Sequence, residues 1–260
     1  MDAVRHDRRI AGAGTAADAW RRDAGLAAVS DAGACELVPP GARLVVVAPH
    51  PDDEILACGG LLQMVAASAP APLFVAVTDG EASHPGSSAW PPARLRATRP
   101  GETLAALRCL GLDGPAMLRL GIADGGVTAA EGALARRLGD ILAPGDVVVT
   151  TWRYDGHPDH EACARACAEA AAQCGARTLE VPIWGWHWST PGDAAMPLAQ
   201  ARKLALPQAV LARKRAAMAC FRSQVLPDAS RGAEAVVPAA ALERVLNPFE
   251  LYFHDPAHPF

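Results

Sequence analysis

The chain has 260 residues, of which 51% are hydrophobic and 20% are charged, and its formal net charge is −4. This composition excludes a largely disordered, collagen-like or low-complexity chain, and the length suits one large α/β domain. It also argues against a nucleic-acid binder and an integral membrane protein, because the sequence has no basic stripe and no apolar run of about 18 residues.

Residues 1–40 are rich in alanine and glycine and only weakly patterned. We expect them to form an N-terminal extension with one short helix over Ala16–Ala28, and residues 41–260 to form the main domain. No apolar segment follows the arginines near the N-terminus, so no secretory signal is predicted. The seven cysteines are odd in number and contain no CxxC pair, which favours free thiols and a cytoplasmic location.

Apolar runs without polar alternation predict buried strands, and helical patterns lie between them. The predicted strands are Leu44–Ala48, Leu73–Thr78, Met117–Leu120, Val147–Thr151 and Leu179–Ile183. The predicted helices are Ile55–Ser68, Ala93–Leu110, Ala129–Leu142, Pro158–Cys174 and Gln208–Ser223. In the last helix, we expect Arg213, Lys214, Arg215 and Arg222 to face solvent. The alternation predicts one α/β domain with a doubly wound, mostly parallel sheet and helices on both faces.

The first predicted strand runs into Ala-Pro-His-Pro-Asp-Asp-Glu at residues 48–54, and sites in such sheets form beyond the strand ends. His50 and Asp53 are three residues apart, so a tight turn can bring both to one ion. Asp52 can face that ion without binding it. Acids are also stabilised at a helix N-terminus, so Asp52, Asp53 and Glu54 alone would be explained by capping. Capping does not explain His50.

A similar arrangement follows the predicted strand Val147–Thr151, where His-Pro-Asp-His at residues 157–160 opens a helix. If the two strands are close neighbours, the two clusters meet in one crevice. The metal ligands predicted from these residues are His50, Asp53 and His160. Two imidazoles and one carboxylate suit Zn²⁺ with an open position for water, and the same set is equally typical of non-haem iron.

Asp52 and His157 remain as an acid–base pair, which favours hydrolysis of an amide or ester. Asp52 would accept the proton of a water molecule that zinc activates. His157 would stabilise the oxyanion, and we expect Asp159 to orient its ring and raise its pKa. Either His157 or Asp52 could then protonate the departing amine.

The two motifs resemble those of the PIG-L/LmbE-like N-acetylglucosaminyl deacetylases. Weaker matches lie between them and beyond, at residues 78–82, 120–125 and 223–224, and in the helix that carries Arg99. The resemblance implies a Rossmann-like α/β domain and a zinc-dependent hydrolase that removes an N-acetyl (N-acyl) group from an N-acetylglucosamine-containing conjugate. It implies one Zn²⁺ per chain, and Fe²⁺ or Co²⁺ can occupy similar ligands.

Carried over by position, the resemblance implies His50, Asp53 and His160 as zinc ligands. It further implies Asp52 as general base, His157 as the acid or oxyanion-stabilising group with Asp159 behind it, and Arg99 and Asp124 as contacts to sugar hydroxyls. The expected partner is a small amino-sugar conjugate, with no nucleic acid and no integral membrane segment.

Two alternative functions and two questions about individual residues stay open. Another metal-dependent amidase or esterase would share the same catalytic parts, and a non-catalytic sugar-binding module would share the fold. Some family members carry a tyrosine where this chain has Asp155, and the neighbouring Tyr154 is a candidate substitute. The tryptophans in residues 184–188 follow a strand end, so they fit either sugar stacking or packing in the core.

Overall fold

The computed structural model describes residues 8–254, in which seven strands form one sheet. The strands are β1 (Leu44–Ala48), β2 (Leu73–Ala76), β3 (Ala116–Arg119), β4 (Val147–Thr151), β5 (Arg177–Val181), β6 (Ala201–Ala205) and β7 (Phe249–His254). Their spatial order is β3-β2-β1-β4-β5-β7-β6. The first five are parallel, whereas β7 is antiparallel to both β5 and β6. The predicted single-domain α/β fold with a mostly parallel sheet is confirmed.

Helices cover both faces of this sheet. They are α1 (Ala17–Arg21), α2 (Ala24–Ala27), α3 (Ala34–Leu37), α4 (Asp53–Val65), α5 (Pro92–Cys109), α6 (Val127–Gly139), α7 (Pro158–Cys174), α8 (Gly185–Trp188), α9 (Gln208–Met218), α10 (Arg222–Val225) and α11 (Ala239–Val245). Successive side chains of β1 point to opposite faces of the sheet. Val46 packs with α4, α5 and α9 on one face, whereas Val45 and Val47 pack with α6 and α7 on the other. Among residues 8–254, no helix is long and apolar enough to cross a membrane.

The sequence-based expectations differ from the structure mainly at the two ends of the chain. The five predicted strands are present with shifts of at most a few residues, but β6 and β7 were not predicted. The predicted helix over Ala16–Ala28 is two short helices, α1 and α2, which are separated at Arg22 and Asp23. The division into residues 1–40 and 41–260 stays a prediction, and its ends, 1–7 and 255–260, lie outside the described residues.

Helix α4 is interrupted at Cys58, whose backbone angles (φ −140°, ψ 21°) are not helical. A buried ion pair lies against the interruption. The Nζ of Lys214 donates hydrogen bonds to the Leu56 carbonyl at 2.8 Å and to Oε1 of Glu250 at 2.6 Å. The expectation that Lys214 faces solvent is therefore wrong, because this side chain is only 1% exposed and is paired with an acid from a strand that was not predicted.

The carboxylate of Glu250 accepts backbone hydrogen bonds that the interruption of α4 leaves without a helical partner. It accepts hydrogen bonds from the backbone N–H of Gly60 at 2.6 Å and of Leu61 at 2.9 Å. In an unbroken helix, the N–H of Gly60 would bond to the carbonyl of Leu56. Glu250 thus accepts the N–H of Gly60, and Lys214 donates to the carbonyl of Leu56, in place of the missing helical bond. Together they fix the angle at which the first turns of α4, including Asp53, approach the sheet.

Candidate active site

The two motifs meet at the carboxyl end of the sheet, between the adjacent parallel strands β1 and β4. This is the point where the strand order reverses, since the chain proceeds outward from β1 to β2 and β3 and then returns to β4. A cavity of about 320 Å³ opens there, and all eight predicted site residues except Asp159 line it. Its volume is in the range of small-molecule sites, roughly 300–1,000 Å³.

Asp53 lies between two imidazoles. Its Oδ2 is 3.3 Å from Nδ1 of His50 and 3.3 Å from Nε2 of His160. Two donors that bind one tetrahedral zinc ion at about 2.0–2.1 Å are themselves about 3.3 Å apart. The donor atoms of these three side chains, which come from positions far apart in the sequence, therefore have the separations that a shared ion requires.

The other nitrogens of both imidazoles face carboxylates. Nδ1 of His160 is 2.8 Å from Oδ2 of Asp155. Nε2 of His50 lies 3.2 Å from Oδ1 of Asp124 and 3.4 Å from Oδ2 of Asp159, yet no hydrogen bond of acceptable geometry reaches it. Metal-bound histidines usually donate their second N–H to such a carboxylate, which fixes the ring and its tautomer. The donor set therefore fits a divalent cation.

The charges of this cluster favour a cation at its centre. Burial alone would lower the pKa of His160, but Asp53 and Asp155 raise it to about 9. Burial likewise opposes protonation of His50, yet Asp124, Asp159 and Asp53 raise its pKa well above the ordinary value. The carboxylates therefore stabilise positive charge at this point, whether it is carried by protons or by a metal ion.

A second set of donor atoms shares His50. Ligand atoms of His50, His157 and His160 lie within 4.8 Å of one another, and so do those of His50, Asp124 and Asp159. Neither group contains Asp53, although its Oδ2 contacts both His50 and His160. The Asp53 oxygen lies between the two imidazoles, whereas Asp124 and Asp159 face the opposite nitrogen of His50.

Asp52 has an unusual backbone. Its φ of 124° makes it the sole non-glycine residue with positive φ in the described range 8–254. A side chain in such a sparsely populated region costs of the order of 1–3 kcal/mol, and strain of this kind concentrates at functional sites. Burial raises the pKa of the Asp52 carboxyl to about 8, against the lowering effect of Arg99.

Arg99 is buried behind Asp52 and is held mainly by backbone carbonyls. Its guanidinium donates to the carbonyls of Gly80 and Pro51, and Nη2 lies 3.4 Å from Oδ2 of Asp52. A Cβ at Gly80 would lie only 1.8 Å from Nη1 of Arg99, so glycine is needed at that turn. These contacts support the strained turn and the Asp52 carboxylate. The predicted contact of Arg99 to a sugar hydroxyl stays a prediction.

His157 is the N-cap residue of α7 and faces the other two imidazoles, at ring-centroid distances of 4.9 Å and 4.7 Å. Its Nδ1 accepts a hydrogen bond from the backbone N–H of Asp159 at 3.3 Å. The neutral ring therefore carries its proton on Nε2. Burial, together with the charges of His160 and His50, lowers the pKa of His157 to about 3.

The expected pairing of Asp159 with the His157 ring is not observed. The Asp159 carboxylate instead accepts hydrogen bonds from the backbone N–H groups of Gly125 at 2.7 Å and Val127 at 3.2 Å. Its charge does act to raise the pKa of His157, but burial and the two neighbouring imidazoles outweigh it. Asp159 thus ties the start of α7 to the loop that carries Asp124.

Residues 45–171, which include both motifs, match the family model described as PIG-L: GlcNAc-PI de-N-acetylase. Just under half of the chain is therefore similar to the PIG-L family. The predicted resemblance is confirmed, and this match supports a deacetylase, a hydrolase that acts on an amide bond. A search of curated proteins found no match.

Several solved structures share the fold of this chain. A deacetylase–teicoplanin complex from the teicoplanin pathway has a TM-score of 0.59 at 18% identity, covering 83% of this chain and 100% of that chain. A conserved protein from Thermus thermophilus has a TM-score of 0.51 at 28% identity, covering 70% of this chain and 79% of that chain. The N,N'-diacetylchitobiose deacetylase from Pyrococcus horikoshii has a TM-score of 0.53 at 17% identity, covering 69% of each chain.

Asp155 is the main residue of this site to which the sequence analysis gave no role. Besides its contact with His160, its carboxylate accepts hydrogen bonds from the backbone N–H groups of Ile183, Trp184 and Gly185, with N···O distances of 2.8–3.0 Å. It is completely buried, whereas Tyr154 is 51% exposed and does not line the cavity. The sequence signal that could have indicated this role is the position of Asp155, an acid five residues before the predicted ligand His160.

The tryptophans in residues 184–188 were expected either to stack on a sugar or to pack in the core, and the structure separates them. Trp186 packs edge-on against Trp20 at 5.2 Å, and Trp188 stacks on Trp152 at 6.0 Å, so both belong to the core. Trp184 alone of the cluster's tryptophans lines the cavity. Of these three tryptophans, only Trp184 therefore has a position from which it can stack on a sugar in the cavity.

Replacing Asp155 by asparagine is expected to weaken zinc affinity by about 10–100-fold, because His160 loses the charged partner that fixes its ring. The measurement is a competition titration of the apoprotein against a chromophoric zinc chelator. Asp140→Asn, at an exposed position at the end of α6, is the matched control and should leave the affinity unchanged. Unaltered affinity in a folded Asp155→Asn variant would remove Asp155 from the site.

Proposed function

We propose that the protein is a metal-dependent N-deacetylase that removes an N-acetyl group from an N-acetylglucosamine-containing conjugate. The observation that carries this proposal is the position of Asp53, which contacts His50 and His160 while carboxylates lie behind both rings. The match to the PIG-L family model supports the reaction class. Proteins of the same fold act on teicoplanin and on N,N'-diacetylchitobiose, which supports an amino-sugar conjugate as substrate.

We propose His50, Asp53 and His160 as the ligands and Zn²⁺ as the ion. When bound, zinc would polarise the amide carbonyl and acidify a water molecule. Asp52 lines the same cavity without belonging to this ligand set. It takes the proton from the attacking water and passes it to the amine nitrogen as the C–N bond breaks. The same carboxylate therefore accepts a proton in the first step and donates it in the second.

His157 stabilises the negative charge that develops on the carbonyl oxygen. Because Nδ1 is used at the start of α7, its Nε2–H is the available donor, and a fixed donor in a buried site needs no reorganisation. Asp124 contacts a sugar hydroxyl, since it lines the cavity and its Oδ2 is already anchored by the backbone N–H of Ala82 at 2.8 Å. Arg99 and Asp159 hold Asp52 and the α7 turn in place.

The test is amine release from N-acetylglucosaminides that differ in aglycone, with O-acetyl sugars in parallel and metal content measured on the same sample. We expect about one zinc per chain, amine release from the N-acetyl compounds, loss of activity after chelation and recovery when zinc is added. Hydrolysis of O-acetyl sugars alone would identify an esterase instead. Absence of both bound metal and hydrolysis in added zinc would overturn the proposal.

A further inference from the structure

Two of the seven cysteines lie in contact, although they are 111 residues apart in the sequence. Cys109 is the last residue of α5, and Cys220 follows α9. Their Sγ atoms are 3.6 Å apart, which is close enough for a hydrogen bond between the two thiols. Neither side chain lines the cavity at the metal site, so the proposed reaction gives this pair no role.

The hydrophobic core holds the backbone on both sides of this pair. The flanking residues belong to one buried cluster and are at most 4% exposed: Leu107, Leu110, Met218 and Phe221. The fold therefore keeps the two sulfurs near each other. A disulfide bond requires an S–S distance of about 2.05 Å, so the sulfurs need to approach by about 1.5 Å. Rotation of the two side chains about their Cα–Cβ bonds can supply this movement without a shift of either helix.

The two thiols differ in their access to solvent. Cys109 is exposed, whereas Cys220 is partly buried. Burial and the adjacent Cys109 thiol raise the pKa of Cys220 to about 11. Because the thiolate is the nucleophile in disulfide exchange, Cys220 reacts poorly with reagents in solution. An external reagent therefore meets Cys109 first, and the sulfur of Cys220 is placed to react with whatever Cys109 then carries.

We infer that Cys109 and Cys220 form a reversible intramolecular disulfide in the folded protein, with a low-molecular-weight disulfide as the oxidant. The sulfur of Cys109 attacks one sulfur of the external disulfide, and the first small thiol leaves. The sulfur of Cys220 then attacks that of Cys109, and the second small thiol leaves. The protein loses two S–H bonds and gains one S–S bond, while the external disulfide takes up two electrons and two protons.

This bond joins the C-terminal end of α5 to the turn between α9 and α10. The same elements are already joined at Glu102, whose carboxylate accepts hydrogen bonds from the N–H and Oγ of Ser223 at 2.8 Å and 2.6 Å. The disulfide therefore links elements that are in contact in the reduced protein. Because it connects positions far apart in the sequence, it restricts the unfolded chain and should stabilise the fold.

Peptide mapping after treatment of the native protein with oxidised glutathione tests the inference. Trypsin places Cys109 and Cys220 on separate peptides, 109–119 and 216–222, each with one cysteine. After the remaining thiols are blocked, we expect these two peptides to be linked in a digest made without reductant, and separate after reduction. Both cysteines free while the exposed Cys35 carries glutathione would overturn the inference. Linkage confined to a dimer band on a non-reducing gel would overturn it too.

Single substitutions test the order of the two steps. In Cys220→Ser, Cys109 should keep one glutathione as a mixed disulfide, because no second thiol displaces it. In Cys109→Ser, Cys220 should stay unmodified under the same treatment. Cys35→Ser changes an exposed cysteine outside the pair and is the matched control, in which the 109–220 bond should still form. A mixed disulfide that persists on Cys109 in the wild-type protein would contradict the second step.

Thermal unfolding tests whether the folded state accommodates the bond. Oxidation should raise the Tm of the wild-type protein by roughly 5–15 °C and return it to the initial value on reduction. Cys220→Ser treated in the same way should show no rise. A lower Tm in the linked wild-type protein would show that the bond distorts the fold, and would contradict the claim that the folded protein places these sulfurs for a disulfide.

Discussion

Replacing Asp52 by asparagine is expected to lower kcat for amide hydrolysis by about 10²–10⁴-fold, because the amide has the shape of the carboxylate but cannot accept the proton. Zinc should stay bound, since Asp52 is not among the proposed ligands. The measurements are kcat with an N-acetylglucosaminide and zinc content by elemental analysis. Together they separate loss of a base from loss of the metal.

Two further variants make the result specific. Asp113→Asn changes an exposed acid after α5 and should retain full activity. Asp52→Gly removes the base and also relieves the strain at φ 124°, so it should lose activity without a lower Tm. Full activity in zinc-loaded Asp52→Asn would end the assignment of Asp52 as general base.

Replacing Lys214 by methionine is expected to lower the free energy of unfolding by about 3–5 kcal/mol, because it leaves the buried carboxylate of Glu250 without its cation. Both side chains are 1% exposed, so solvent does not screen the loss. The effect should be measured by chemical denaturation at neutral pH.

The neighbouring Arg213 supplies the control. Arg213 is exposed, and Arg213→Met should change stability by less than about 0.5 kcal/mol. Adding Glu250→Gln to Lys214→Met should recover part of the loss, because it removes the unpaired charge while retaining an acceptor for Gly60 and Leu61. A loss below about 1 kcal/mol in Lys214→Met would show that the pair does not stabilise the interrupted helix.

The parts of the fold that the sequence predicted well are those with local signals. β1 and β4 have the predicted bounds, because each is a continuous apolar run that ends in a polar motif. The strand order then brings the two motifs together, so His50, Asp53 and His160 could be grouped from the sequence alone. β6 and β7 carry charged residues such as Lys203 and Glu250, which obscured a strand pattern.

What the sequence could not show depends on partners that are distant along the chain. Helical periodicity assigned Lys214 to solvent, since nothing local indicated a buried acid 36 residues later. Asp155 lies five residues before His160, but its role follows from the way the loop folds back onto both His160 and the start of α8. The cytoplasmic location, the identity of the metal and the roles assigned to individual side chains stay predictions.

Anomalous diffraction from zinc-loaded crystals tests the central claim most directly, namely that His50, Asp53 and His160 hold one ion. We predict a single zinc about 2.0–2.1 Å from Nδ1 of His50 and Nε2 of His160, and about 2.0–2.2 Å from a carboxylate oxygen of Asp53. An ion bound instead by Nε2 of His50 with Asp124 and Asp159, or no anomalous peak among these side chains in excess zinc, would contradict the account.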